Sequence, residues 1–126
     1  MKFLKQISIA IILATALTGC AAKSVESTPK AAFTPTLDVD VAVAGDAATL
    51  QFKTNMIISK EHYNKERKEG EGHIHLSLDN GENQIITDSS TVLQPLSKGP
   101  HNIKVSLHNN DHTPYNVSKS LDIEVK

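Results

Sequence analysis

The sequence predicts an all-β domain, an antiparallel sandwich of about seven short strands, and three observations carry that prediction. Apolar and polar residues alternate with a period of two in one segment after another from Leu37 onward. Turn residues such as Gly45-Asp46 and Asp79-Asn80-Gly81-Glu82 separate those segments. No segment of this region shows a 3.6-residue period. In chain order, Leu37, Val39, Val41 and Val43 alternate with Asp38, Asp40 and Ala42, which predicts a strand over 37–43. Ala48, Leu50 and Phe52 do the same over 48–54, so Gly45-Asp46 closes a hairpin. Ile74, Leu76 and Leu78 define a strand over 73–79, followed by short candidates at 83–87 and 91–94. Ile103, Val105 and Leu107 define 101–108, and Leu121, Ile123 and Val125 define 117–125. Met56-Ile57-Ile58 reads as a bulge or edge after the second strand, and 61–68 as room for one helical turn.

The N-terminus is of another kind. Lys2 and Lys5 precede an apolar run over 7–17, and then comes Leu17-Thr18-Gly19-Cys20. This resembles the signal peptide and lipobox of bacterial lipoproteins. The resemblance implies cleavage after residue 19 and acylation of Cys20, leaving 107 of the 126 residues with 11 basic against 14 acidic side chains. Two or more acyl chains, at about 0.8 kcal/mol per buried methylene, anchor a protein to a membrane without a spanning helix. With Cys20 lipidated, no thiol remains for a disulfide or for thiolate chemistry. Residues 20–36 then form the lipidated Cys and a tether of small and polar residues, able to reach about 50 Å at about 3.1 Å per residue. Pro29 and Pro35 interrupt any helix there. The domain organisation read from sequence is therefore leader 1–19, tether 20–36 and sandwich 37–126.

Composition removes several functions. With 13 Lys+Arg, 14 Asp+Glu and a formal net charge of −1, the chain lacks the basic excess of a nucleic-acid binder. No nucleophile elbow, H-E-x-x-H, phosphate-binding glycine loop or paired-carboxylate motif is present, so the reading is a binding protein rather than an enzyme, with a metal-dependent oxidoreductase or hydrolase built on His73 and His75 as the enzymatic alternative.

Labelled as an immunoglobulin-like sandwich, the strands place the 55–72 and 109–116 loops (BC and FG in immunoglobulin terms) at one end. A connection as long as 55–72 is more often functional than idle. That end is rich in histidine: His62 in the first loop, His73 and His75 on the following strand, His112 in the second loop, out of 6 in the chain. In His73-Ile74-His75 the two imidazoles share a strand face about 6.6 Å apart, close enough to grip one ion while Ile74 faces the core. Asn109-Asn110-Asp111-His112-Thr113-Pro114 folds a third ligand inward, and Asp111 or Glu71 completes or orients the set. His62 lies in a mixed charge run, and His101, in phase with the core, takes the place of a corner residue; both are lesser candidates for the metal. His108, opposite in phase to Ile103, Val105 and Leu107, defaults to solvent.

The segments GEGHIHLSLDNGE (70–82) and LSKGPHNIKVSLHNNDHTPY (96–115) resemble small exported bacterial domains, the YtkA-like and copper-resistance (CopC-like) sandwiches. The resemblance implies copper or other metal handling, with His73, His75, His101 and His112 as the motif histidines and Asp111 beside the last. Met56 is the lone methionine beyond the leader, which leaves no soft site for Cu(I); imidazole and carboxylate suit Cu(II) or Zn(II). The sequence thus points to a monomeric, lipid-anchored protein of the bacterial cell envelope that binds a divalent metal, with uptake falling as pH drops through about 6.5. Its rival is a surface-tethered interaction module that binds protein or glycan without metal.

Overall fold

The computed structural model of the protein describes residues 32–126. The leader, Cys20 and the tether up to residue 31 lie outside the described residues. Eight strands follow: β1 (Leu37–Ala44), β2 (Ala47–Thr54), β3 (Ile57–Ile58), β4 (Glu71–Leu78), β5 (Gln84–Ile86), β6 (Ser90–Leu93), β7 (Gly99–His108) and β8 (Pro114–Val125). One sheet has the order β1-β2-β6; the other runs β4-β7-β8, with β3 and β5 both paired to β4. Every pairing is antiparallel except that of β3 with β4. This is the all-β, immunoglobulin-like sandwich that the alternating pattern predicts.

Local chemistry accounts for the turns. In the β1–β2 hairpin Ala44 pairs with Ala47, leaving a two-residue turn in which Gly45 takes φ 61° without a Cβ penalty. After β4 the turn centres on Asp79 (φ 51°) and Asn80 (φ 58°), and Gly81 N–H donates to Leu78 O at 2.9 Å. Two positive φ angles in succession make a type I′ turn, which Asn and Asp tolerate better than other side chains with a Cβ.

The inward phase of each strand builds one core. Leu50, Ile74, Leu76, Ile103, Val105 and Leu107 have no exposed surface, and Val39, Phe52, Leu93 and Ile123 close it at the sides. The alternation that defines β1 begins upstream: Pro35 is buried and Phe33 half-buried, with the Phe33 ring edge-on to Tyr115 at 6.1 Å. Thr36 N–H donates to Asn55 Oδ1 at 2.8 Å. The packed body therefore starts near Phe33, because the alternation of exposed and buried side chains continues upstream through a proline that needs no ladder hydrogen bond.

The long 55–70 connection differs from a helical turn. Ile57 N–H donates to Gly70 O at 2.7 Å and Ser59 N–H to Gly72 O at 2.9 Å, which makes β3 a short parallel partner of β4. Residues 61–64 form a turn, with Lys65 N–H bonded to His62 O at 3.1 Å, and the chain then runs back without regular structure. The loop is thereby laid over the outer face of β4 near its start.

Candidate metal centre

β4 and β7 position the site by their register. His73 pairs with His108 and His75 with Ser106, so three imidazoles and one hydroxyl are already neighbours on the non-core face. The close approach of the two strands depends on Gly72, where an added Cβ would fall onto the backbone oxygen of His108 and against Met56 Sδ at 2.9 Å. The 55–70 loop roofs this face: the Tyr63 ring stands edge-on to His73 at 5.0 Å and to His112 at 5.2 Å. As a result His73 has no exposed surface although it points away from the core.

His112 arrives from the opposite side. The turn after β7 is closed by Asn109 N–H to Thr113 O at 2.8 Å and His112 N–H to Asn109 O at 3.0 Å. His112 itself sits at φ 69°, a left-handed conformation uncommon for a residue with a Cβ. That kink turns its ring back toward β4, 4.8 Å from the ring of His73 and 5.9 Å from that of His75.

One ring nitrogen from each of His73, His75 and His112 lies within 4.8 Å of the other two, and the Nε2 atoms of His73 and His75 are 2.9 Å apart. A tetrahedral ion with bonds of about 2.0–2.1 Å holds its nitrogens about 3.3 Å apart, so a small rotation of the imidazoles closes the set. Buried His73 Nδ1 has no hydrogen-bond partner. Electrostatics keep the two strand imidazoles neutral: burial first, then repulsion from His75, His112 and His108, lowers His73 to about 4. His75 is likewise lowered to about 4 by burial and by His108 and His112. Neutral imidazole is the ligating form, so these two donors are chemically ready over a wide range of pH.

The other sequence candidates are placed elsewhere. Asp111 Oδ1 accepts from the Thr113 N–H at 3.1 Å and from the Thr113 hydroxyl, and its Oδ2 faces Arg67 Nε at 3.7 Å. Those Thr113 bonds, aided by Arg67, lower its carboxyl, which serves the turn and lies outside the imidazole group. His62 bonds Glu71 Oε1 through Nδ1 at 2.6 Å, and Lys68 Nζ lies 3.0 Å from the second oxygen. The buried Glu71 carboxyl is lowered by His62 and Lys68, so both members of that pair are engaged with each other rather than with the cluster. His101 is the corner residue: Nε2 donates to Ser97 O at 2.7 Å and Nδ1 to Asp79 Oδ2 at 2.6 Å. The Ser97 carbonyl and then Asp79 raise its pKa, and an imidazolium that donates from both nitrogens has no lone pair for a metal.

His108 is the residue that sequence reasoning sent to solvent. Its ring stacks on that of His75, centroids 3.6 Å apart and planes 13° apart. Nδ1–H donates to His112 O at 3.1 Å, and Nε2 accepts from the Ser106 hydroxyl at 3.0 Å. With both nitrogens occupied, it braces two ligand candidates. Its signal was available in its phase, which is that of His73 and His75 on an adjacent antiparallel strand.

Fold and site together define a class, an immunoglobulin-like β-sandwich with a histidine cluster at one end. No family model matches the chain, and no curated protein matches it in sequence. Among solved structures, the PKD1 domain from Vibrio cholerae metalloprotease PrtV aligns at TM-score 0.49 and 11% identity, covering 74% of this chain and 98% of that one. The PKD1 domain of Vibrio anguillarum Epp aligns at TM-score 0.47 and 9% identity, covering 75% and 99%.

Proposed function

We propose that this domain binds a divalent transition metal, Cu(II) or Zn(II), through His73, His75 and His112, and that it does so as a lipid-anchored protein of the bacterial envelope. The observation that carries the reading is the convergence of three imidazole nitrogens, two from β4 and one from the turn between β7 and β8, within 4.8 Å. The buried, unpartnered Nδ1 of His73 and the neutral state of both strand imidazoles support it. The resemblance of 70–82 and 96–115 to copper-resistance-type sandwiches favours copper, and the lipobox-like Leu17-Thr18-Gly19-Cys20 supports the anchor. Copper(II) or zinc(II) titration of the purified protein, with the His73→Ala/His75→Ala variant beside it, tests the metal. Micromolar uptake lost in the variant is expected; a protein that ignores both ions ends the reading.

A second reading is a tethered interaction module for protein or glycan. The sandwich class favours it, as does Ile57, left 65% exposed on the edge strand β3 beside the same loop. Retention of a binding partner by the His73→Ala/His75→Ala variant, in the absence of metal uptake by the native protein, would select it.

A further inference from the structure

The metal reading leaves open which nitrogen of His112 faces the cluster, and the roof loop carries the answer. Asn64 lies on that loop at φ 63°, a left-handed position that Asn accepts more readily than other residues with a Cβ. Its backbone N–H donates to Asn110 O at 3.0 Å, which ties it to the turn bearing His112. Its side-chain Oδ1 lies 3.1 Å from His112 Nε2. An amide oxygen can only accept, so the proton of a neutral His112 ring sits on Nε2 and its lone pair on Nδ1. A metal-bound imidazole ordinarily donates its other N–H to an acceptor that fixes both tautomer and ring angle.

We propose that Asn64 is a positioning residue of the metal centre: it holds His112 as the Nε2–H tautomer and leaves Nδ1 as the donor atom. The proposal rests on the metal reading for its purpose, and on the hydrogen bond alone for its mechanism. His112 is then held at three points, by the Asn64 amide at its ring, by His108 Nδ1–H at its carbonyl and by Asn109 O at its N–H. Two of those three braces belong to the turn and to β7. Of these three hydrogen bonds only that of Asn64 comes from the roof loop, whose Tyr63 ring also stands edge-on to His112, so the roof and the third ligand are tied together.

The test uses the full chain, labelled with nitrogen-15, with Asn64→Gly and Asn64→Asp beside it. Glycine keeps the left-handed backbone and its bond to Asn110 but removes the acceptor. Aspartate keeps an oxygen acceptor and cannot donate. Histidine ring spectra of the metal-free proteins should show His112 as Nε2–H in the native chain and in Asn64→Asp, and a mixed tautomer in Asn64→Gly. Zn(II) alone should then bind about 10–100-fold more weakly to Asn64→Gly, and no more weakly to Asn64→Asp. A proton on Nδ1 in the native chain, or an Asn64→Gly variant with native tautomer and native affinity, overturns the proposal. If the native chain takes up no Zn(II), the metal reading falls, and the metal-free spectra alone decide whether Asn64 sets the tautomer.

Discussion

Burying two neutral imidazoles on the outer face of a sheet makes the metal-free domain sensitive to acid in a defined window. His73 and His75 titrate near 4 in the folded chain and near 6.5 when unfolded. Below 6.5 the unfolded state takes up protons that the folded state refuses. Stability from these groups is therefore complete above about 6.5 and is lost as pH falls toward 4. Each imidazole accounts for about 3 kcal/mol over that range, most of it by pH 4.5, and the pair gives less than twice that because each raises the cost of charging the other. His73→Leu removes one titrating group and puts an apolar side chain of similar size under the Tyr63 ring. Urea unfolding with a chelator present, at pH 7.5, 5.5 and 4.5, should show the native chain losing ~2–3 kcal/mol more than His73→Leu between the first and last pH. The carboxylates lowered in the folded state, Glu71 and Asp79 among them, lose their contribution at still lower pH and do so equally in both proteins. Parallel stability curves for the two proteins would show that His73 is not held neutral by burial, and the description of the site would fail with it.

Further outcomes follow from the same geometry. Proton competition at His73 and His75 should set in only below about 5, because both are lowered to about 4; their ring proton shifts in the metal-free protein, followed from pH 7 to 4, check it. Gly72→Ala should cost about 1–3 kcal/mol or more in urea unfolding and weaken metal binding, since its Cβ strikes the His108 carbonyl that keeps β4 against β7. The His101 corner behaves with the opposite sign: its raised pKa gives stability that is present below 6.5 and lost as pH rises through the folded value. Asp79→Asn should lower the His101 pKa, read from its ring proton shifts, and remove much of that pH dependence. Thermal unfolding with excess Zn(II) should show stabilisation of about 2.7 kcal/mol at 100 times the dissociation constant, absent in His112→Ala.

The sandwich was legible because alternation is a local property of the chain. Leu37, Val39 and Phe52, or Ile103, Val105 and Leu107, need only the period of two to declare a face. The convergence of His73, His75 and His112 was legible for a related reason, since the immunoglobulin-like strand order brings two loops to one end whatever their sequence. What failed was the assumption that the outer face is wet. His108 was assigned to solvent by its phase, yet it stacks on His75 of the adjacent strand and bonds the His112 carbonyl, while the 55–70 loop covers its neighbour His73. The loop's path depends on β3 pairing in parallel with the start of β4, a contact that Met56-Ile57-Ile58 does not announce. Asp111 was drawn toward the metal by its place beside His112, but the nearer claim on its carboxylate is the Thr113 backbone and hydroxyl two residues on. Asn64 carried no signal at all, because its role lies in a left-handed backbone angle and one hydrogen bond across the chain.

The burial that penalises the cluster in acid also bears on how an ion would act there. An exposed histidine trio binds its metal against full competition from protons near neutral pH and gains little rigidity in return. Here the rings of His73 and His75 are kept neutral by burial and by the neighbouring imidazoles, while His73 Nδ1 stays buried without a partner. A cation entering such a group meets neutral rings on His73 and His75, and His73 lies under the Tyr63 ring of the roof loop. Binding should therefore stabilise the roof loop as well as the site. Hydrogen exchange in 59–70 and 109–113 should slow on adding metal by more than the shared slowing that global stabilisation brings to the core strands, and an effect on these segments no larger than that on β1-β2-β6 would place the ion elsewhere.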